Sequence, residues 1–207
     1  MDPLRVAVLA SGTGTNLASI LRATQNGTLS AKIVLVISNK IEAGALEIAR
    51  KSGVPALHLA LEQFESQEDL DQAFLNAFKE YNVELIALAG YLKKISSSII
   101  RKYKHRMLNI HPALLPSFGG KGMYGIKVHQ AVLDYGCKVS GVTVHLVDEE
   151  YDSGIPILQR CVPVEDDDTP GTLAARVLEH EHKIYVETLQ LFAENRIAVQ
   201  GRQVIIK

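Results

Sequence analysis

The feature of this 207-residue sequence that most restricts its fold is the alternation of short β-branched runs with longer amphipathic segments. Apolar period and residue type predict strands at 5–9, 33–37, 56–59, 85–89 and 107–110, and helices at 16–25, 43–52, 67–81 and 96–102. Such alternation favours right-handed crossovers, and therefore a Rossmann-like α/β fold with a mostly parallel twisted sheet and helices on both faces. Ligands of such sheets bind beyond the carboxyl ends of the strands.

The pattern changes after a further predicted helix at 126–135. Longer strands at 140–146 and 157–164 are joined by an acidic loop, which predicts a mixed or antiparallel extension of the sheet. A long helix at about 172–194 is approached through Thr169 and Pro170, and a hairpin at 197–206 turns at Gly201. No repeat, low-complexity segment or linker interrupts the chain, so a single domain over residues 1–207 is expected.

Two helix ends carry local signals in the sequence. Ser66 and Asp69 form an S-x-x-D pattern that can satisfy free amides at the first turn of the helix that follows. Gly53 stands where the preceding helix should end, since glycine readily adopts the left-handed backbone of a helix terminus.

Charge and composition exclude several classes of partner. The 22 basic and 23 acidic residues leave a net charge of −1, which argues against nucleic acid as a partner. No apolar run approaches the ~20 residues of a membrane span, and no signal peptide opens the chain, so a cytoplasmic protein with no membrane partner is expected. Cys137 and Cys161 are expected to be reduced, with a reactive role as the alternative.

A glycine-rich loop, Ser11-Gly12-Thr13-Gly14-Thr15-Asn16, follows the first strand and opens the first helix. Free amides and the helix dipole at such a position favour an anion, with phosphate as the natural guest. The alternative is a tight turn with Thr15 or Asn16 capping the helix. Asn16 at the third glycine position and Asn39-Lys40 after the second strand depart from a dinucleotide fingerprint, and no Walker lysine follows.

Asn109 and His111, in the run Asn109-Ile110-His111-Pro112, lie two residues apart at the end of the fifth predicted strand. Strand alternation places both side chains on one face, pointing into the expected ligand crevice. A carboxamide can donate to a developing oxyanion, and an imidazole can do the same or exchange a proton near neutral pH. The alternative is a strand end whose Asn and His satisfy turn hydrogen bonds.

Asp152 lies in the acidic loop between the two long strands, where Asp148, Glu149 and Glu150 would ordinarily face water. Gly154 and Pro156 follow it and restrict the chain, which favours a positioned carboxylate at 152. Beside His111, that carboxylate would orient the ring and favour its protonated form.

Three motifs together, at 11–16, 109–116 and 152–156, resemble those of the phosphoribosylglycinamide formyltransferases of purine biosynthesis, and the resemblance spans nearly the whole chain. The last two motifs are shared by a wider superfamily that uses 10-formyltetrahydrofolate, so they indicate the chemistry. The assignment of the substrate that accepts the formyl group depends on the first motif and the chain length. Methionyl-tRNA formyltransferase has a further C-terminal barrel and formyltetrahydrofolate hydrolase an N-terminal regulatory domain. Both relatives are therefore disfavoured.

The resemblance implies a role for each site residue. It implies a catalytic trio of Asn109, His111 and Asp152, with His145 in support. It further implies a substrate phosphate and ribose site at Gly14, Thr15, Asn16 and Glu181, and a folate site at Leu92, Lys93, Lys94, Ile95, Val147, Asp148, Glu149 and Glu150.

The sequence also departs from the family pattern. Leu178 stands where some relatives carry a polar partner of the nucleotide. The glycine-rich stretch 117–125 is longer than in many relatives and is either a mobile flap or a surface loop. Lys121 and His129 receive no role.

The resulting hypothesis is transfer of the formyl group of 10-formyltetrahydrofolate to the amine of glycinamide ribonucleotide. Asn109 and protonated His111 would hold the oxyanion of a tetrahedral intermediate, and Asp152 would assist proton transfer. No metal is expected, because the histidines lack ligand partners at suitable spacing. The alternatives are a formyltransferase for another amine such as a sugar nucleotide, a non-catalytic nucleotide sensor, and a nicotinamide-dependent oxidoreductase.

Overall fold

The computed structural model describes residues 2–207, so residue 1 of the predicted domain lies outside the described part. Seven strands form one sheet in the order β3-β2-β1-β4-β5-β6-β7. The parallel strands are β1 (Leu4–Leu9), β2 (Ala31–Ser38), β3 (Ala56–His58), β4 (Leu85–Leu88) and β5 (Met107–His111). The antiparallel strands β6 (Val139–Leu146) and β7 (Pro156–Pro163) extend it beyond β5. The predicted α/β class and mixed extension are confirmed.

Helices cover both faces of this sheet. They are α1 (Thr15–Gln25), α2 (Gly44–Lys51), α3 (Gln67–Glu80), α4 (Ser97–Lys102), α5 (Ile126–Asp134) and α6 (Pro170–Ala193), with a short 3-10 turn at Leu61–Gln63. The strands β8 (Ile197–Gln200) and β9 (Gln203–Ile206) form the predicted hairpin as a separate two-stranded sheet. None of the helices within residues 2–207 combines the length and the apolar character that crossing a membrane requires.

The buried apolar side chains form two clusters, one on each face of the sheet. The first contains residues of α1, α2, α5 and α6, among them Leu17, Leu46, Val132 and Tyr185. The second contains residues of α3 and α4, among them Phe74, Phe78, Ile99 and Ile100. Each face can exclude water from the apolar side chains that alternate along the strands.

The strand order reverses at β1, which pairs with both β2 and β4. Leu9 lies beside Leu88, and Leu88 lies beside Asn109, so the carboxyl ends of β1, β4 and β5 are level. Loops that leave neighbouring strands from opposite sides open a crevice at this switch point. The glycine loop and the Asn109 motif therefore meet at one edge of the sheet.

The local helix signals have mixed outcomes. Ser66 Oγ accepts a hydrogen bond from the Asp69 amide at 3.1 Å, and Gly53 follows the end of α2 with φ of +68°, as predicted. The α6 helix begins at Pro170, two residues before the predicted start, with Thr169 as its cap. The alternative for the glycine loop, in which Thr15 or Asn16 caps α1, is not what the structure has: Gly14 caps α1 with φ of +82° and no side-chain hydrogen bond.

Candidate active site

A cavity of about 630 Å³ opens at the carboxyl ends of β1, β4 and β5, within the size range of small-molecule sites. Its wall contains all three side chains of the predicted trio, together with His145, Glu181 and both segments of the predicted folate site. From the glycine loop it contains Gly12 and Asn16, but not Gly14 or Thr15. Residues 120–125 of the glycine-rich stretch complete the wall.

Asn109 is held by contacts to the neighbouring strand and to the acidic loop. Its Nδ2 lies 3.1 Å from His145 Nε2 and donates to Asp152 Oδ1 at 3.4 Å. His145 Nδ1 lies 2.8 Å from the Leu146 carbonyl, which can only accept, so Nδ1 carries the proton. In the neutral ring Nε2 is then the acceptor, and it fixes the amide end of Asn109 as a donor.

His111 lies on the same face of β5 as Asn109, as predicted. Contacts of both side chains with the Asp152 carboxylate show this common face. Its Nε2 donates to the Phe118 carbonyl at 2.8 Å, and its Nδ1 lies 3.5 Å from Asp152 Oδ2. Burial lowers the pKa of His111, and the neighbouring His145 lowers it further. The charge of Asp152 and the Phe118 carbonyl raise the pKa, but burial outweighs them. The expected protonated form is therefore the minor one at neutral pH in the free protein.

Asp152 is placed by a strained and crowded loop. Its own φ is +53°, in the left-handed region, which costs a non-glycine residue about 1–2 kcal/mol. A Cβ on Gly154 would lie 1.6 Å from the Leu146 carbonyl oxygen, so only glycine fits at that position. Burial raises the pKa of Asp152, but His145, the charge of His111 and the Gly120 amide together bring it below its ordinary value. The carboxylate is thus ionised at neutral pH.

The nucleotide end of the cavity is formed by α1 and α6. Asn16 Nδ2 donates to Glu181 Oε2 at 2.8 Å, across 165 residues of sequence. Burial raises the pKa of Glu181, which the hydrogen bond from Asn16 partly offsets. The Oδ1 atom of Asn16 is buried and forms no hydrogen bond with residues 2–207, so an acceptor is left over in the wall.

Gly14 and Thr15 do not line this cavity. A Cβ on Gly14 would lie 2.8 Å from Cα of Ala45, so its glycine lets α1 and α2 approach each other closely. Thr15 lines a shallow depression between α1, α2 and α6 instead. The structure thus separates two residues of the predicted phosphate loop from the cavity wall and keeps Asn16 there.

The two predicted folate segments face each other across the cavity. Residues 92–95 follow β4, and residues 147–150 follow β6. Glu149 accepts from Ser97 Oγ at 2.9 Å and from Arg101 at 3.3 Å, and Lys94 Nζ lies 5.6 Å from the centre of the Tyr151 ring. These contacts tie the acidic loop to α4 and to the loop before it.

Sequence patterns gave no indication of several groups that complete the site. The Phe118 carbonyl accepts from His111, and the Gly120 amide donates to Asp152 Oδ2 at 2.9 Å. Ser11 Oγ donates to Asn39 and accepts from the Leu92 amide, which joins the glycine loop to the folate segment. Three of the groups in these contacts belong to the backbone: the Phe118 carbonyl and the amides of Gly120 and Leu92. Backbone groups are common to every residue type, so the glycine content at 120 was the available signal in the sequence.

Among residues 2–207, no group of three or more His, Cys, Asp or Glu side chains is arranged to hold a metal ion. Cys137 is half-buried and Cys161 is exposed, and the two are not joined by a disulfide.

The sequence pattern of the formyl transferase family matches residues 4–189. The chain is 44% identical to the chloroplastic phosphoribosylglycinamide formyltransferase of Arabidopsis thaliana over 194 residues, which cover 93% of this chain and 66% of that protein. The chain therefore spans just under two-thirds of that relative's length. It is 36% identical to the phosphoribosylglycinamide formyltransferase of Haemophilus influenzae, with coverage of 95% of this chain and 90% of that one.

A solved structure gives the same result for the fold. Glycinamide ribonucleotide transformylase 1 from Symbiobacterium toebii superposes with a TM-score of 0.93 and 40% identity, covering 99% of this chain and 94% of that one. The match thus extends over sheet, helices and site loops together. The chain belongs to the formyl transferase family and, within it, groups with the phosphoribosylglycinamide formyltransferases.

Proposed function

We propose that this protein transfers the formyl group of 10-formyltetrahydrofolate to the amine of glycinamide ribonucleotide. The observation that carries the proposal is the convergence of Asn109, His111 and Asp152 on one wall of the cavity. An amide donor, an imidazole and an ionised carboxylate suit attack by an amine on a carbonyl and the proton transfer that follows.

In the proposed reaction the amine nitrogen forms a bond to the formyl carbon, and the carbonyl oxygen becomes an oxyanion. Collapse of this tetrahedral intermediate breaks the bond from carbon to N10 of the folate. The amine loses one proton and N10 gains one, so the transfer needs no other reactant. Asn109 would donate to the oxyanion by exchanging its longer contact, the one of 3.4 Å to Asp152.

His111 would carry the proton between the two nitrogens. Its neutral resting form can take a proton from the amine after attack, since the Nδ1 atom that faces Asp152 is then unprotonated. The imidazolium so formed would have acceptors at both nitrogens, Phe118 O and Asp152 Oδ2, and its charge would favour the oxyanion held by Asn109. Asp152 would thus stabilise His111 at the moment it is charged, and the proton would then pass to N10.

The substrates would occupy opposite halves of the cavity. The reduced folate would lie between residues 92–95 and 147–150, where Leu92, Ile95 and Val147 offer apolar contacts and the loops offer backbone groups. The ribonucleotide would lie against Gly12, Asn16 and Glu181, where free amides at the start of α1 suit an anion and Glu181 can accept from sugar hydroxyls.

We propose residues 1–207 as one formyltransferase domain, because strands from 4 to 163 share a single sheet that α6 crosses. Small molecules are the proposed partners. The cytoplasmic location expected from the sequence stays a prediction, since the Arabidopsis thaliana relative is named chloroplastic.

The test is a formyl-transfer assay with 10-formyltetrahydrofolate and a panel of amines that contains glycinamide ribonucleotide and an amino sugar nucleotide. We expect turnover with the ribonucleotide. Asn109→Ala should lower kcat by about 10²- to 10³-fold, the usual loss for one oxyanion donor. Asn76→Ala, which removes an exposed carboxamide on α3, is the matched control and should leave kcat unchanged. Preference for another amine, or full activity of Asn109→Ala, would refute the assignment.

A further inference from the structure

Lys121 belongs to the glycine-rich stretch 117–125, and the proposed reaction gives this lysine no role. The base of this stretch is attached to two residues of the trio, through Phe118 O to His111 and through Gly120 N to Asp152. Lys121 follows the second attachment directly and lies in the cavity wall. The backbone that leads into Lys121 is therefore attached directly to the reacting groups.

The backbone around Lys121 is held in conformations that favour glycine. Gly120 has φ of +101° and Gly122 has φ of +91°, so glycines on both sides allow the turn that presents Lys121. A Cβ on Gly119 would lie 2.5 Å from Leu115 Cδ2 and 3.1 Å from Asp152 Cβ. The stretch thus packs closely against the acidic loop before it turns back along the cavity.

Three lysines line the cavity, and they divide between its two halves. Lys93 and Lys94 precede α4, which packs with α3 on one face of the sheet. Lys121 precedes α5, which packs against α6 on the other face, and α6 in turn packs against α1. Asn16 and Glu181 belong to α1 and α6, so Lys121 is the lysine on their side.

That half of the cavity otherwise lacks a positive charge. From α6 only Glu181 lines the cavity, while Leu178 one turn earlier is apolar and lies outside its wall. From α1 the cavity receives only Asn16. Lys121 forms no ion pair with any residue in the described part of the chain, so its ammonium is available to an anionic ligand.

We propose that Lys121 binds the phosphomonoester of the amine substrate. It would supply the positive charge that α6 does not bring to the cavity wall. This inference rests on the proposed function, because that function makes the ligand of the α1 and α6 half a ribose phosphate. The ammonium adds a mobile point charge to the fixed backbone amides at the start of α1. Lys121 is thus a substrate-binding residue, and the glycine-rich stretch is the arm that carries it.

The experiment is calorimetric binding of glycinamide ribonucleotide and of its dephosphorylated riboside to the whole protein and to Lys121→Met. A charged hydrogen bond of ordinary strength predicts that Lys121→Met binds the ribonucleotide roughly 10- to 100-fold more weakly. Its affinity for the riboside should not change. Lys121→Arg should restore most of the loss, and added salt should weaken ribonucleotide binding less in Lys121→Met than in the wild type.

Lys127→Met is the matched control, since Lys127 lies six positions along, is exposed and does not line the cavity. It should bind the ribonucleotide as the wild type does. Equal affinity of Lys121→Met and wild type for the ribonucleotide, or equal losses for ribonucleotide and riboside, would overturn the proposal. A loss that appears in the KM for 10-formyltetrahydrofolate instead would also overturn it, by placing Lys121 against the folate carboxylates.

Binding and turnover separate this proposal from the proposed function. If the wild type transfers formyl groups and Lys121→Met binds the ribonucleotide normally, the function stands and the role of Lys121 fails. If the wild type binds the ribonucleotide through Lys121 but transfers nothing, the reverse holds. If the wild type binds no phosphorylated amine, both fail.

Discussion

The protonation of His111 is decided by two opposing surroundings. Burial among apolar side chains disfavours the charged ring, while Asp152 and the Phe118 carbonyl favour it. Burial is the larger effect, and the resting ring is neutral with its proton on Nε2. The residue is thereby suited to accept a proton during the reaction and to be stabilised once it has done so.

We expect the titration of His111, followed by NMR of the ring nitrogens, to show a pKa below the ordinary 6.5. In Asp152→Asn the pKa should fall further, because the variant removes the charge that raises it. Asp166→Asn removes an exposed carboxylate elsewhere and should leave the titration of His111 unchanged. A pKa above 6.5, or one that rises in Asp152→Asn, would contradict this account.

At the scale of elements, close approaches of backbone hold the site loops in place. Gly14 lets the start of α1 lie against Ala45 of α2, and Gly154 lets the Asp152 loop lie against the end of β6. Tyr185 of α6 is fully buried and donates to the carbonyls of Leu88 and Leu108, which joins that helix to β4 and β5. The elements that carry the site are thus bound to the same sheet core.

Gly14→Ala and Gly27→Ala separate crowding from backbone strain. The two glycines have similar left-handed φ values, +82° and +78°, but only Gly14 faces a neighbour, with Ala45 Cα at 2.8 Å from an added Cβ. Strain alone should cost about 1–2 kcal/mol of unfolding free energy in each variant. Gly14→Ala should lose more unfolding free energy than Gly27→Ala, because α1 must also move away from α2. Urea denaturation of both variants measures the difference. Equal losses would show that the close approach is unimportant.

For the whole molecule, the buried His111 and His129 and the half-buried His182 link stability to pH. Burial lowers the pKa values of His111, His129 and His182, so the folded protein holds these rings neutral. The unfolded chain, whose histidines titrate near 6.5, binds more protons once the pH falls to that range. The contribution of these histidines to the free energy of unfolding is complete above pH 6.5, the pKa of the unfolded chain. It decreases as the pH falls toward the lower pKa values of the folded protein.

We therefore expect the free energy of unfolding to decrease between pH 7.5 and about 6, measured by urea denaturation at constant ionic strength. Glu181 acts in the opposite direction, since its raised pKa lets the folded state bind a proton above pH 4.5. Its contribution to stability is complete below the unfolded value of 4.5 and is lost as the pH rises through the folded pKa. His129→Gln should reduce the slope. Constant stability across this interval would contradict the expectation.

Much of the fold was determined by the sequence itself, because the apolar periods of strands and helices are local properties. The cap of α3 at Ser66 and the end of α2 before Gly53 are local in the same way. The pairing of Asn109 with His111 was local too, since alternation along one strand fixes their common face. The cap of α1 could not be predicted, because the packing of Gly14 against Ala45 decided it over the preferences of Thr15 and Asn16. Local chemistry competes there with a contact between distant segments.

Tertiary structure alone decided which residues meet and what charge they carry. Asn16 and Glu181 are 165 residues apart, and the groups that hold His111 and Asp152 in the stretch 117–125 are backbone atoms common to every residue type. The sequence supplied the acid, the imidazole and the amide, and the resemblance supplied their roles. Burial then reversed the expected protonation of His111, because the free energy of a charge depends on the water removed around it, which no residue type encodes.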